Sequence, residues 1–577
     1  MTGGRAGRRL RVPPAASVAG AVPAVWTVAL SLLLLGPALG PGHVLAYDMV
    51  WVPDLALRPD FLGVGSALPR AVPSDAVVAV LDEVVPGAVL QDLVLLGALV
   101  AGGLGAVRLA GDAGLVGRCL AAALFVWNPF TVERLLLGHW PTLVGYAVLP
   151  WLALAARQAR RTGRVPAGLL VLLPLGSLSA SAGLATAVVL LTFGLGRSRT
   201  WGLLVGLAVA ANLPWAVSGL LHAGAATTDP AGATAFALRA EGPLPAPLTA
   251  LGLGGVWNAE TVPATREGPL GLLALLVLVA LAALGARGWA NRWGRRDVAA
   301  FAACWVVGWG LAVLTWLAPD AVAWLGAEVP GGGLLRDGSR LLGLSALALV
   351  PLVAAGGDRL SGWFDVAWQR VLVGSVLALL PVALMPDAAW GVSGRLAATD
   401  YPPSYAAARE AVGDAEGADV LVLPFSSYRA PAWNEGRKVL DPLGRYLRPD
   451  FVASDELVVS GVTIAGEDPR GAQVREALGA PTPQQRAEAL ADLGVGVVVR
   501  DDSAPGPAPD VAGTEVVRTG DLVVTRLADP APAEAPPTWV AAMAAAWLGW
   551  LGSLLAGVML LALRRRRPPA RGAHVSR

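Results

Sequence analysis

Residues Tyr47 to Asp60 read YDMVWVPDLALRPD. They follow directly on an apolar run from Val22 to Ala46, and they carry Asp48, Asp54 and Asp60 with Arg58 among them. From Asp48 to Asp92 the chain holds seven acids against two arginines, in a sequence that is 15% charged. Acid is thus concentrated where the first apolar run ends. A polar loop behind an apolar run of about 25 residues reads as a membrane span followed by a solvated loop.

Composition extends that reading to the whole chain. Hydrophobic residues make up 55% of the 577, and mean hydropathy is +0.59. A soluble chain of this size is about half apolar and about a quarter charged. Further apolar runs lie at 89–107, 116–128, 141–156, 166–178, 182–196, 201–221, 269–286, 298–318, 340–356, 371–386 and 537–563. With the first, that is about twelve, at or somewhat below the roughly 20 residues of a full span. The expected fold class is therefore an α-helical polytopic membrane protein. Cys119 and Cys304 both fall inside apolar runs and offer neither a disulfide framework nor metal-ligand spacing. A net charge of +2 says little, because charge here is sorted by side rather than summed, and no nucleic-acid partner is expected.

Loop charge sorts the runs by side. If the N-terminus is cytoplasmic, the connections 108–118, 157–164, 197–199, 287–296 and 358–370 and the tail Arg564–Arg567 all fall on the cytoplasmic side. That is the pattern the positive-inside rule demands. The expected location is the plasma membrane, multi-pass, with both termini cytoplasmic. The acidic loop 47–88, the loops 222–268 and 319–339 and the segment 390–536 then lie outside. Arg5, Arg8, Arg9 and Arg11, with VLA before Tyr47, also resemble a signal peptide. The run between them is long for that, and a retained span is expected. Inside the acidic loop, Ser74 to Val85 reads as an amphipathic helix capped by Ser74 and stopped by Pro86-Gly87, suited to the membrane interface.

Residues 390–536 differ in kind. They are polar, rich in Pro and Asp, and long enough for a small domain. Ala418–Phe425 (ADVLVLPF) reads as a buried strand, Gln484–Leu493 as a helix and Val495–Val499 as a second strand. Val516–Leu527 reads as a hairpin around Thr519-Gly520-Asp521. The expected organisation is a multispanning part (1–389), a small extracytoplasmic α/β domain (390–536), and a final span with a basic tail (537–577).

Three constellations can carry chemistry. Asp48 and Asp54, at the outer mouth of a membrane cavity, can act as a general base toward a hydroxyl or hold a divalent cation through oxygen. They can equally be solvated loop acids. Glu133, Arg134 and His139 sit between two apolar runs at a membrane boundary, where ionisable groups are costly and tend to be functional. They can also be an interfacial ion pair flanked by Trp127 and Trp140 as anchors. Arg336 and Arg340 follow the glycines 331–333, and their forked donors can grip a phosphate. Each can instead pair with Asp337 or with the acidic loop. No P-loop, HExxH or GxSxG pattern is present.

An acidic first outer loop, an interfacial helix within it, many spans and a C-terminal outer domain together resemble the GT-C-type membrane glycosyltransferases. The Asn128-Pro129-Phe130 to His139-Trp140 and Leu335 to Arg340 runs are similar to segments of that broad group, and Leu493–Val499 is similar to a strand of their outer domains. The resemblance implies transfer of a sugar from a polyprenyl-phosphate donor to a cell-envelope glycan or lipid acceptor. By position it makes Asp48 the base, with Asp54 second. Arg336 and Arg340, with Arg134, would hold the phosphate, and Glu133 and His139 would line the substrate site. Asp48 and Asp54 are six apart and form no Asp-x-Asp pair, so a metal is not fixed by the pattern. Two rivals stand beside this reading: a lipid or glycan transporter, and a non-catalytic scaffold. The near absence of acids within the runs weighs against ion-coupled transport.

Overall fold

The computed structural model describes residues 15–566 apart from 197, 227–228, 330, 460 and 532–534. The basic residues Arg5, Arg8, Arg9, Arg11, Arg197 and Arg567 lie outside the described residues. The chain is a polytopic, mostly helical membrane protein with a few small sheets.

Among the described residues, eight helical stretches are long and apolar enough to cross a membrane, fewer than the twelve apolar runs. The difference has local causes. Runs 166–178 and 182–196 form helices of only nine and 15 residues, Ala167–Leu175 and Ala180–Gly194. Run 141–156 lies in helix Trp140–Thr162, whose end carries Arg157, Arg160 and Arg161. Runs 269–286 and 298–318 share one helical stretch, Pro269–Leu317, broken at Gly294 (φ 78°, ψ 162°). Only glycine adopts that conformation readily. The chain folds back there: the Trp289 and Phe301 rings are 5.3 Å apart, whereas residues twelve apart on a straight helix are separated by about 18 Å.

Arginine-bearing connections meet at one end of the bundle. Arg157 and Arg160 both pair with the buried Asp297. Arg292 donates to the Ala110 carbonyl, Arg296 to Leu195 and Arg359 to Leu284. Asp358 accepts from Gly114 and Gly117 N–H at 2.6 and 2.7 Å, where helix Leu115–Val126 begins. A carboxylate there answers the orphan donors and the positive end of the helix.

The opposite end carries an α/β unit. Its strands are β1 (Asp419–Leu423), β2 (Phe451–Val452), β3 (Val495–Asp501), β4 (Thr514–Thr519) and β5 (Leu522–Arg526), in the order β4-β5-β3-β1-β2. β1 runs parallel to β2 and β3, and the β4–β5 hairpin turns at the expected place. The unbroken apolar character of β1 follows from cover on both faces. Leu421 and Leu423 pack beneath helices Pro469–Leu478 and Pro483–Asp492, with Val474 and Leu490. Val420 and Val422 face the other way and join a core shared with Trp51, Leu55 and Tyr405. Helix Pro483–Asp492 starts with a capping box between Thr482 and Gln485.

The loop 47–60 is clamped between bundle and sheet. Its Arg58 is 2% exposed and donates to the carbonyls of Gly444, Arg445, Leu447 and Pro449 at 2.6–3.1 Å. Phe61 and Phe451 stack on its guanidinium. Arg58→Met should cost about 3 kcal/mol or more, because several buried carbonyls then lose partners worth about 1–3 kcal/mol each. Thermal unfolding of the purified variant checks this, and an unchanged melting temperature would contradict it.

The helix expected from Ser74 to Val85 runs from Ser74 to Leu81, with Pro73 at the N-cap position and no side-chain cap. Ser74 does not cap it; its hydroxyl donates to the Ala71 carbonyl. Asp75 and Ala79 turn inward, Asp75 onto Arg445, while Val80, Leu81 and Val84 are exposed. An outward apolar face beside the spans suits the membrane interface.

Candidate functional site

The site is organised by a short helix, Pro129–Leu136. Asn128 caps it through Thr131 N–H at 3.0 Å, and Pro129 opens it. Glu133 and Arg134 are consecutive, so they point about 100° apart around the axis. They take different partners.

Gly138 follows with φ 77°, and a Cβ there would strike the backbone of Ala46 and Met49. Glycine therefore lets the acidic loop lie against this turn, and Asp48 N–H donates to the Leu137 carbonyl at 3.1 Å. His139 comes next, with its ring between Arg134 and Asp48.

A directional chain results. Arg134 Nη1 lies 3.0 Å from His139 Nδ1, and His139 Nε2 lies 3.1 Å from Asp48 Oδ2. Arginine can only donate. Nδ1 must then accept, and the ring proton sits on Nε2, aimed at Asp48. Behind this chain, Arg134 pairs with Asp337 at 3.3 Å and bonds Ser339, which donates in turn to Asp337. Arg340 Nε bonds the same Asp337 at 3.0 Å.

Exposure divides these residues into a foundation and a face. Arg134, Asp337 and His139 are 1, 5 and 8% exposed, whereas Asp48 and Arg340 are 42 and 40% exposed. A carboxylate and a guanidinium thus reach the surface from one buried network. The Arg340 terminal Nη groups have no partner among the described residues.

Burial would raise the Asp48 carboxyl, but hydrogen bonds from His139 and Tyr428 and the Arg340 charge overcome it and hold the group below its ordinary value. Burial also pushes the His139 imidazole down, with the arginines assisting and Asp48 opposing. Asp337 would likewise be raised by burial, yet Arg134 and Arg340 hold it well below the usual carboxylate range. Asp48 is therefore ionised and His139 neutral at physiological pH. A depressed carboxyl keeps its charge until pH falls through the folded value, so any activity needing ionised Asp48 should persist down to below about pH 4. Tyr428→Phe removes one hydrogen bond to the carboxylate and should move that acid limb upward in a pH–rate profile. An unmoved limb would contradict the assignment.

Among the described residues no three His, Cys, Asp or Glu groups converge as a metal site. Asp48 has His139 and Tyr428 on its oxygens, and Asp54 belongs elsewhere.

No family model and no curated protein matches the sequence. The fold, however, has solved counterparts. The arabinofuranosyltransferase AftD from Mycobacteria superposes with a TM-score of 0.52 at 17% identity, over 89% of this chain and 40% of that one. A point mutant of the same enzyme gives 0.50 over 84% of this chain and 36% of its own, again at 17% identity. The fold is GT-C-like. This chain spans about 40% of the solved protein's length.

Within this GT-C-like frame, the residues singled out by sequence separate into groups. Asp48, Arg134, His139 and Arg340 come together. Asp54 does not join them; it pairs with Arg409 at 2.7 Å and is 57% exposed. Arg336 pairs with Glu467 of the α/β unit and stacks on Phe236, while Arg340 takes Asp337, so different carboxylates hold the two arginines.

Glu133 does not pair with Arg134. It contacts Glu241, which holds Arg266 at 2.7 Å. Glu133 Oε1 and Arg266 Nη2 are buried without hydrogen-bond partners among the described residues. Arg266 and Asn128 are the polar side chains at an otherwise apolar groove of about 70 Å3, walled by Leu120, Leu124, Leu275 and Leu380 among others.

Tyr428, whose hydroxyl bonds Asp48, carries no signal in the sequence. It sits 380 residues away, in the α/β unit. The same unit fixes Tyr47, through Tyr47 N–H to the Lys438 carbonyl and Leu440 N–H to the Tyr47 carbonyl, both at 2.8 Å.

Proposed function

We propose that this protein is an integral-membrane glycosyltransferase that moves a sugar from a polyprenyl-phosphate donor to a cell-envelope glycan or lipid acceptor. The observation that carries the reading is the Arg134–His139–Asp48 chain, which orients an ionised, half-exposed carboxylate beside Arg340, whose Nη groups have no partner among the described residues. Asp48 takes the proton from an acceptor hydroxyl. That oxygen forms its bond to the anomeric carbon as the bond from that carbon to the phosphate oxygen breaks. Arg340 meets the negative charge on the departing phosphate, with Arg134 behind it. Arg336 contributes only if Glu467 releases it. The GT-C-like fold and the apolar groove beside helix Pro129–Leu136 support a lipid-borne donor.

The orientation belongs to the same proposal. The arginine-bearing end faces the cytoplasm, and 390–536 forms an extracytoplasmic domain between the multispanning part (1–389) and the last span (537–577). All twelve apolar runs then cross. Thr142 bonds Ser181 near the α/β end, and Arg160 bonds the Phe193 carbonyl at the arginine end, which supports full passage by the two short helices.

Binding of decaprenyl phosphate to purified protein tests the donor side without turnover. Arg340→Ala should weaken it by about ten-fold or more, the worth of a charged hydrogen bond. Wild-type protein that binds no decaprenyl phosphate, or an Arg340→Ala variant that binds it equally, would count against the reading.

A further inference from the structure

Beside Asp48, on the surface shared by the bundle and the α/β unit, stands a set of groups of which the transfer mechanism uses only the Tyr428 hydroxyl. Tyr47 has φ 46°, a left-handed conformation uncommon for an aromatic residue. Such strain persists where the surroundings enforce it, and it clusters at functional sites. Here the two backbone bonds to Lys438 and Leu440 enforce it. The Tyr47 and Tyr428 rings lie 6.0 Å apart at 62°, both half-buried. Tyr428 holds Asp48 by its hydroxyl, and Tyr47 bonds Glu260. Lys438, the sole lysine of the chain, bonds both oxygens of Glu260 at 2.8 and 3.2 Å and lies 5.8 Å from the Tyr47 ring. Glu260 and Lys438 remain 60 and 44% exposed.

We infer that Tyr47, Tyr428, Glu260 and Lys438 form the acceptor subsite, and that it takes a neutral sugar at the end of a glycan. This rests on the glycosyltransferase reading and narrows its acceptor. Half-exposed aromatic faces pack against the C–H face of a sugar ring, while carboxylate and ammonium groups bond its hydroxyls. Lys438 and Arg395 balance Asp48 and Glu260 here, and the Lys438 ammonium is already held by both Glu260 oxygens, so no net positive charge is left for a phosphorylated headgroup, whereas the arginine side of Asp48 suits phosphate. One carboxylate thus separates a cationic donor side from a polyol acceptor side. The acceptor hydroxyl must lie against Asp48, and Tyr47 precedes it in the chain.

The test is binding of neutral arabinan, mannan, galactan and glucan oligosaccharides to the full-length protein in nanodiscs. Wild type should bind at least one of them. Tyr47→Ala and Glu260→Gln should each weaken that binding by about ten-fold or more, and Tyr47→Phe, which keeps the ring, should lose less than Tyr47→Ala. Decaprenyl phosphate binding should be unchanged in all three. Asp48→Asn should still bind the oligosaccharide, so glycan binding is read separately from transfer. Glu260→Gln alters a surface side chain and decides the matter should Tyr47→Ala fold poorly. Absence of binding by every oligosaccharide, or undiminished binding by Glu260→Gln, would overturn the inference.

Discussion

Asp48→Asn should lower sugar transfer by about a hundred- to ten-thousand-fold, the contribution of a well-placed general base. The protein should remain folded. An asparagine fits the same network: its amide oxygen accepts from His139 Nε2–H, and its amide nitrogen donates to the Tyr428 oxygen. Only the capacity to take a proton is lost. Asp48→Glu should also be impaired, because the extra methylene moves the carboxylate off His139 and Tyr428. Transfer rates in membranes, normalised to protein amount, measure both. Asp48→Asn with wild-type transfer would remove Asp48 from the mechanism.

Arg134→Leu should cost about 3–5 kcal/mol of stability, the range for breaking a buried pair by removing one partner. Arg340 still holds one oxygen of Asp337, which places the expectation at the lower end. Transfer should fall as well. Without the donor at Nδ1, nothing fixes the His139 tautomer, and Asp48 loses its oriented N–H. The double variant Arg134→Leu/Asp337→Leu separates the two effects, because replacing both members of a buried pair by apolar groups is often close to neutral. Melting temperature should largely recover in the double variant, and transfer should not. Recovery of both would make the network structural only.

Much of the membrane part is written in local pattern. Each apolar run holds a helix, the first of them ending at Leu35 before its run does, because a backbone in lipid must satisfy its own hydrogen bonds. Span number is less legible, since Gly294 joins two runs into one helical stretch and the helices of 166–178 and 182–196 are short. The strands at 419 and 495 read clearly because both their faces are covered. The candidate site is legible only where its residues share a segment. Arg134 and His139 sit on one turn, and Asp337, Ser339 and Arg340 on another. Asp48 meets them through Gly138, which marks the close approach. Tyr428 sits on a strand paired with nearby Val439–Leu440, yet its hydroxyl reaches Asp48 across 380 residues, and no local pattern encodes such a partner. Arg336 shows the converse. Its spacing from Arg340 suggests a joint phosphate grip, yet Glu467, far along the chain, claims it.

The most direct test of the transferase account is glycosyl-linkage analysis of the cell envelope in a strain lacking this chain, complemented with wild type or Asp48→Asn. The account predicts loss of a defined sugar linkage that wild type restores and Asp48→Asn does not. Restoration by both, or an envelope with every linkage intact, would contradict it.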